Sequence, residues 1–320
     1  MINMPASTAG FHRMRLFAVL VLILLAGCSM LPRGTETPVK SVPPPVEPPP
    51  KPEVRVVPPK IALVLGGGAA RGFAHVGVIK VLEANGIVPD MVVGTSAGAL
   101  VGALYAAGYG GADLQRVAMQ IDDSVIADWS LPDRGFIKGE ALQNFVNRAV
   151  QNRTLEKLNK PFATVVTDLQ SGEMVVFRSG NTGMAVRASS SVPGIFQPVS
   201  INGREYVDGG LVSPVPVRAA RAMGADIVIA VDISNKPRFG KTRDSIDVML
   251  QSFAIMGQSI AGYELAGADV IIRPETGQMR GTDFDNRQNA ISEGEKATQT
   301  VIAAIRRKIA EKTTTQEINR

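Results

Sequence analysis

The 320-residue chain contains only two histidines, one cysteine and one tryptophan. Each scarcity removes a class of chemistry. The histidines are His12 and His75, and none follows. A triad running serine, acid, histidine in chain order is therefore excluded for any serine beyond residue 75. The order histidine, acid, serine stays formally open through His75, but that residue falls in a helical stretch after a glycine loop and reads as structural or loop-orienting. With Cys28 as the sole cysteine, no intramolecular disulfide can form. The longest early apolar run, Leu16 to Ala26, is 11 residues, too short for a spanning helix of about 20. The formal charge of +5 is mild and unclustered, which gives no case for nucleic acid. No metal and no cofactor are expected.

What is present begins with the N-terminus. Arg13 and Arg15 precede the apolar run, which ends in Leu25-Ala26-Gly27-Cys28. A basic region followed by a short apolar one has the form of a signal peptide, and its end resembles the lipobox of bacterial lipoproteins. That resemblance implies removal of residues 1–27 and acylation of Cys28, with membrane lipid as anchor; Ser29 after the cysteine implies the outer membrane of a Gram-negative host. Acylated Cys28 leaves no thiol for catalysis. Eleven of the 31 residues from 29 to 59 are proline. Such a stretch favours extended polyproline II and packs poorly, so residues 28–59 read as the lipidated cysteine and a spacer.

From Lys60 the pattern becomes that of a folded domain, expected to run from 60 to 311 and to end in a frayed polar tail, 312–320. Ile61–Leu65 and Met91–Val93 read as buried parallel strands. Helical stretches follow each, at 73–85 and 97–107. Strands are also expected at 162–167 and 173–177 around Ser171-Gly172, and at 199–201 and 205–207 around Asn202-Gly203, a strong hairpin signal. Helix 215–223, strand 226–232, a long helix 246–266, strand 270–272 and helix 288–311 complete an α/β pattern with a mostly parallel sheet. The Met and Phe positions of helix 246–266 read as core, with a lipid groove as the alternative.

Three motifs carry chemistry. Gly94-Thr95-Ser96-Ala97-Gly98, between a strand and a helix, is a nucleophile-elbow pattern that raises Ser96 on a strained turn. Gly66-Gly67-Gly68-Ala69-Ala70-Arg71-Gly72 is a backbone nest suited to an anion. It lacks the Lys-Ser/Thr of a P-loop and meets Arg71 where a dinucleotide fingerprint needs glycine. An oxyanion hole from the Gly67, Gly68 and Ala69 N–H groups remains. Arg71 reads as a loop brace or as a phosphate contact. Asp208-Gly209-Gly210 places an acid on a tight turn.

In this order the three motifs resemble the patatin-like phospholipase family. So do Ala188-Ser189-Ser190-Ser191-Val192-Pro193-Gly194-Ile195-Phe196-Gln197-Pro198 and Thr167-Asp168-Leu169 with Ser171-Gly172. The resemblance covers roughly residues 60–275. It implies a three-layer α/β/α fold and a Ser96–Asp208 dyad without histidine. The implied activity is that of a serine acyl hydrolase on lipid acyl esters, of phospholipase A, lysophospholipase or esterase type. Membrane lipid would then be substrate as well as anchor. The alternative is a lipid- or partner-binding scaffold on the same fold with little turnover.

Overall fold

The computed structural model describes residues 53–121, 136–234, 242, 244–277 and 279–318. Cys28, the apolar run before it and most of the proline-rich segment lie outside the described residues. The compact unit runs from Pro52 to Arg320.

A sheet of eight strands forms its centre, in the order β6-β7-β4-β3-β2-β8-β9, with β5 also on β4. The strands are β2 (Ile61–Leu65), β3 (Met91–Thr95), β4 (Phe162–Asp168), β5 (Met174–Phe177), β6 (Val199–Ile201), β7 (Arg204–Asp208), β8 (Ile227–Val231) and β9 (Val270–Ile272). β4, β3, β2, β8 and β9 pair in parallel; β5, β6 and β7 are antiparallel additions. Alternation along the strands feeds two cores. Leu63 and Leu65 face one core and Ala62 and Val64 the other, and helices cover both sides, giving the three expected layers.

The first face carries α1 (Phe73–Ala84), α2 (Ala97–Ala106), α3 (Gly111–Gln120), α4 (Glu140–Ala149) and α8 (Arg287–Lys312). The second carries α6 (Val217–Ala222) and the end of α7 (Ser245–Leu265). α5 (Thr182–Ser189) packs beside β4 and β7.

Two expectations need correction. Residues 314–318 are not a frayed tail: β1 (Glu53–Val57) pairs antiparallel with β10 (Thr314–Ile318). The end of the spacer and the supposed tail thus satisfy each other's backbone groups. In α7 only Ala254, Ala261, Glu264 and Leu265 are buried. Met249 and Phe253 are half-buried and Met256 is exposed, so its Met and Phe positions are not core. Beyond the expected elements, the fold contains the helices α3, α4 and α5.

Candidate functional site

β2 and β3 are adjacent and parallel, so the loops leaving their C-terminal ends emerge side by side. One is the glycine loop and the other the elbow. The approach is very close: a Cβ on Gly98 would lie 2.0 Å from the Leu65 carbonyl oxygen, one on Gly94 2.4 Å from the Gly98 oxygen, and one on Gly67 3.3 Å from Ser96 Cβ. Ser96 itself has φ 53° and ψ −120°, a costly conformation for a residue with a Cβ. It projects the hydroxyl at the N-terminus of α2, where unpaired N–H groups favour developing negative charge.

Asp208 arrives from the opposite direction. β5 covers one edge of β4 from Thr164 to Thr167. β3 takes the other edge as far as Val165, opposite Thr95, and β7 takes that same edge from Val166, opposite Asp208. Two strands therefore meet head-on along one edge of β4. Their ends bring together residues that are far apart in sequence. Ser96 Oγ donates to Asp208 Oδ2 at 2.7 Å. Gly209 permits the meeting, since a Cβ there would fall 2.2 Å from the Val165 oxygen.

The carboxylate of Asp208 is buried. Its Oδ1 accepts from the Gly210 N–H at 2.7 Å, and it has no ion-pair partner among the described residues. Burial pushes its pKa up to about 6, against the lowering effect of the bonds from Ser96 and Gly210. Its backbone is fixed too. The Asp208 N–H donates to the Ser191 carbonyl at 2.9 Å, and the Thr167 hydroxyl donates to the Asp208 carbonyl at 2.8 Å. Asp168, next in the same motif, caps the β4–β5 turn by accepting from the Gln170 and Ser171 N–H groups.

The glycine loop differs from expectation at one position. The Gly67 N–H donates to the Pro214 carbonyl at 2.9 Å, so it is spoken for and does not serve as an oxyanion donor in this arrangement. The N–H groups of Gly68 and Ala69 have no acceptor among the described residues, and Ala69 holds a left-handed φ of 49°. Arg71 is buried; its Nε donates to the Ile233 carbonyl at 3.0 Å and its Nη1 to the Met279 carbonyl at 3.3 Å. Those contacts make it a brace between the loop and two distant segments.

His75 is fully buried in α1, with Nε2 2.8 Å from the Gly66 carbonyl oxygen. Burial, which the Gly66 contact only partly offsets, brings its pKa down to about 4, so it is a neutral imidazole that donates to the loop. His75→Gln keeps an N–H donor for Gly66 and is expected to retain at least about a tenth of wild-type turnover, since general-base loss alone would cost ~10²–10⁴-fold. A loss equal to that of Ser96→Ala in a folded protein would return histidine to the chemistry.

One contributor has no sequence motif. Glu264 on α7 is buried and accepts from the Ser213 hydroxyl at 2.6 Å and the Val215 N–H at 3.2 Å; burial raises its pKa. It clamps the segment whose carbonyls receive the Thr95 hydroxyl, at Ser213, and the Gly67 N–H, at Pro214. Among the described residues no group of three or more metal-ligating side chains is present.

Residues 63–221, holding the elbow, the acid and most of the glycine loop's surroundings, match the family described as patatin-like phospholipase. The chain belongs to the patatin-like phospholipase family. An uncharacterized NTE family protein of Mycobacterium tuberculosis is 34% identical over 194 residues, 58% of this chain and 52% of that protein. Human patatin-like phospholipase domain-containing protein 6 is 36% identical over 184 residues, 55% of this chain and 13% of that protein. Lysophospholipase NTE1 of Yarrowia lipolytica is 34% identical over 181 residues, 55% of this chain and 13% of that protein. The chain therefore spans about half of the mycobacterial relative and a small part of the others. The crystal structure of VipD from Legionella pneumophila shares the fold, at 16% identity and a TM-score of 0.57, over 82% of this chain and 69% of that one.

Proposed function

We propose that this protein hydrolyses lipid acyl esters, with Ser96 as nucleophile and Asp208 as the single proton acceptor and donor. The observation that carries the reading is the 2.7 Å bond from Ser96 Oγ to a buried carboxylate. The names of the relatives point the same way, one being called a lysophospholipase.

The chemistry follows from the geometry. As Ser96 Oγ attacks the acyl carbonyl carbon, its proton passes to Asp208 Oδ2. Negative charge moves onto the carbonyl oxygen, where the free Gly68 and Ala69 N–H groups receive it. Asp208 returns the proton to the departing alcohol, leaving the acyl group on Ser96. Water then attacks the acyl carbonyl carbon, giving its proton to Asp208, which passes it to Ser96 Oγ as the bond from Oγ to the acyl carbon breaks and the carboxylic acid leaves. An ordinary aspartate, with a pKa near 3.9, is a weak base for a hydroxyl. Burial supplies what the residue type lacks, because it raises the basicity of the carboxylate.

Only ionised Asp208 can accept the Ser96 proton. Hydrolysis of p-nitrophenyl butyrate is therefore expected to fall as pH drops through about 6, tenfold per pH unit below it. The initial rate from pH 4.5 to 8.5, on enzyme shown to stay folded, tests this. A rate unchanged down to pH 4.5 would mean that the base is not this carboxylate. Parallel assays on phosphatidylcholine, lysophosphatidylcholine and monoacylglycerol identify the ester class; release of fatty acid from none of them overturns the lipid reading.

We further propose that an acyl anchor on Cys28 holds the domain at the outer membrane. Supporting it are the short apolar run and the cysteine that ends it; among the described residues no helix is long and apolar enough to cross a membrane. Cells fed an alkynyl palmitate are expected to label the wild type and not Cys28→Ala. Absence of label in the wild type would remove the anchor.

A further inference from the structure

Parallel strands exchange evenly spaced bonds, with every second residue donating its N–H to the neighbouring strand. On β3 the series includes Val92, whose N–H donates to the Pro161 carbonyl at 3.0 Å. The register, Val92 opposite Phe162 and Gly94 opposite Thr164, makes the Ser96 N–H and the Val165 carbonyl a later pair in that series. They do not bond directly. The Ser189 hydroxyl stands between them, accepting from the Ser96 N–H at 2.9 Å and donating to the Val165 carbonyl at 2.6 Å. Ser189 is fully buried and is the last residue of α5.

We infer that Ser189 is a positioning residue: its hydroxyl splices the β3–β4 ladder where the chain turns into the elbow, and so sets where Ser96 stands against Asp208. The inference rests on Ser96 being the nucleophile.

The need for a splice comes from crowding on one edge of β4. Gly209 already lies against the Val165 carbonyl, and Asp208 sits opposite Val166. A direct bond would draw the Ser96 backbone down onto this edge. An inserted hydroxyl holds it off by one further hydrogen-bond length while satisfying the donor and the acceptor together, because it has one proton to give and lone pairs to receive. A methyl group in its place does neither. The two backbone groups then stay unpaired or close on each other, and Ser96 Oγ moves in either case. A displacement of about 1 Å is enough to cost ~100-fold in turnover.

The test compares wild type, Ser189→Ala and Ser189→Thr, as full-length protein in detergent, with p-nitrophenyl butyrate. Ser189→Ala is expected to keep its circular dichroism, to lose about 100-fold in kcat and to change KM by less than about threefold. Its labelling by a fluorophosphonate should slow by a similar factor. Ser189→Thr, which restores the hydroxyl, should recover to within about fivefold of wild type. Should Ser189→Ala not fold, Ser189→Gly takes its place; glycine is tolerated at a helix end, leaves space for a bridging water, and is expected to lose about tenfold in kcat relative to wild type, whereas a folded glycine variant within threefold of wild type overturns the splice. A folded Ser189→Ala with kcat within threefold of wild type, or a folded Ser189→Thr as slow as the alanine variant, overturns the splice. A wild type that neither hydrolyses the ester nor takes label at Ser96 overturns the nucleophile assignment instead.

Discussion

Ser96→Ala and Asp208→Asn are each expected to lower kcat/KM for p-nitrophenyl butyrate by at least ~10³-fold, and the double variant to be no slower than the slower single one. The two side chains perform one event, the attack of an oxygen as its proton leaves. Removing either ends that event, so removing the second costs nothing more. Asparagine is close to aspartate in shape and can still accept from the Gly210 N–H through its carbonyl oxygen, but its amide cannot take the Ser96 proton. The comparison therefore isolates proton transfer from folding. Losses that multiply in the double variant would show that the two residues act in separate steps.

The same substitution is expected to make the protein more stable. Burial raises the pKa of Asp208 from an ordinary value of 3.8 to about 6. Between these values the native state still holds a proton that the unfolded chain has released, so stability falls as pH rises across this window and remains lowered above it. At about 1.4 kcal/mol per pKa unit, the ionised carboxylate costs the fold ~3 kcal/mol at pH 8. Asparagine has no charge to bury. Chemical denaturation should find Asp208→Asn more stable than wild type by up to ~3 kcal/mol at pH 8, with the gap closing toward pH 4. A variant less stable at pH 8 would mean that the carboxylate is held by favourable contacts and not strained by burial. Lost activity and gained stability in one substitution would mark Asp208 as a site kept for function.

Local signals made much of this legible from sequence. The apolar runs of β2 and β3 end in glycines because the chain must turn there, and the elbow lies on that turn. Asn202 and Gly203 do have left-handed φ angles of 53° and 79°, as an Asn-Gly hairpin requires. Ser96 is legible from the elbow pattern itself, but Asp208 as its base is legible only through the resemblance, because D-G-G alone is a common turn. Pairings between distant segments stayed hidden. Nothing in Gly66-Gly67-Gly68 tells that the Pro214 carbonyl will take the Gly67 N–H and leave those of its neighbours. Nor does a glutamate near the end of a long, largely apolar helix announce that it clamps the segment behind the elbow. The β1–β10 ribbon joins the first and last described strands, and neither strand has the apolar run that marks a buried one. Ser189 lies in a stretch that resembles the family, but its role depends on where β3 and β7 meet on β4, which is a property of the sheet.

The dyad is tested most directly by mapping the adduct of a fluorophosphonate probe on the full-length protein by peptide mass spectrometry, in wild type and in Asp208→Asn. One adduct is expected, on Ser96, formed at least ~10²-fold more slowly when Asp208 is asparagine, since the probe needs the activated hydroxyl. An adduct on a different serine, or labelling of Ser96 at an equal rate in the folded Asp208→Asn protein, would contradict it.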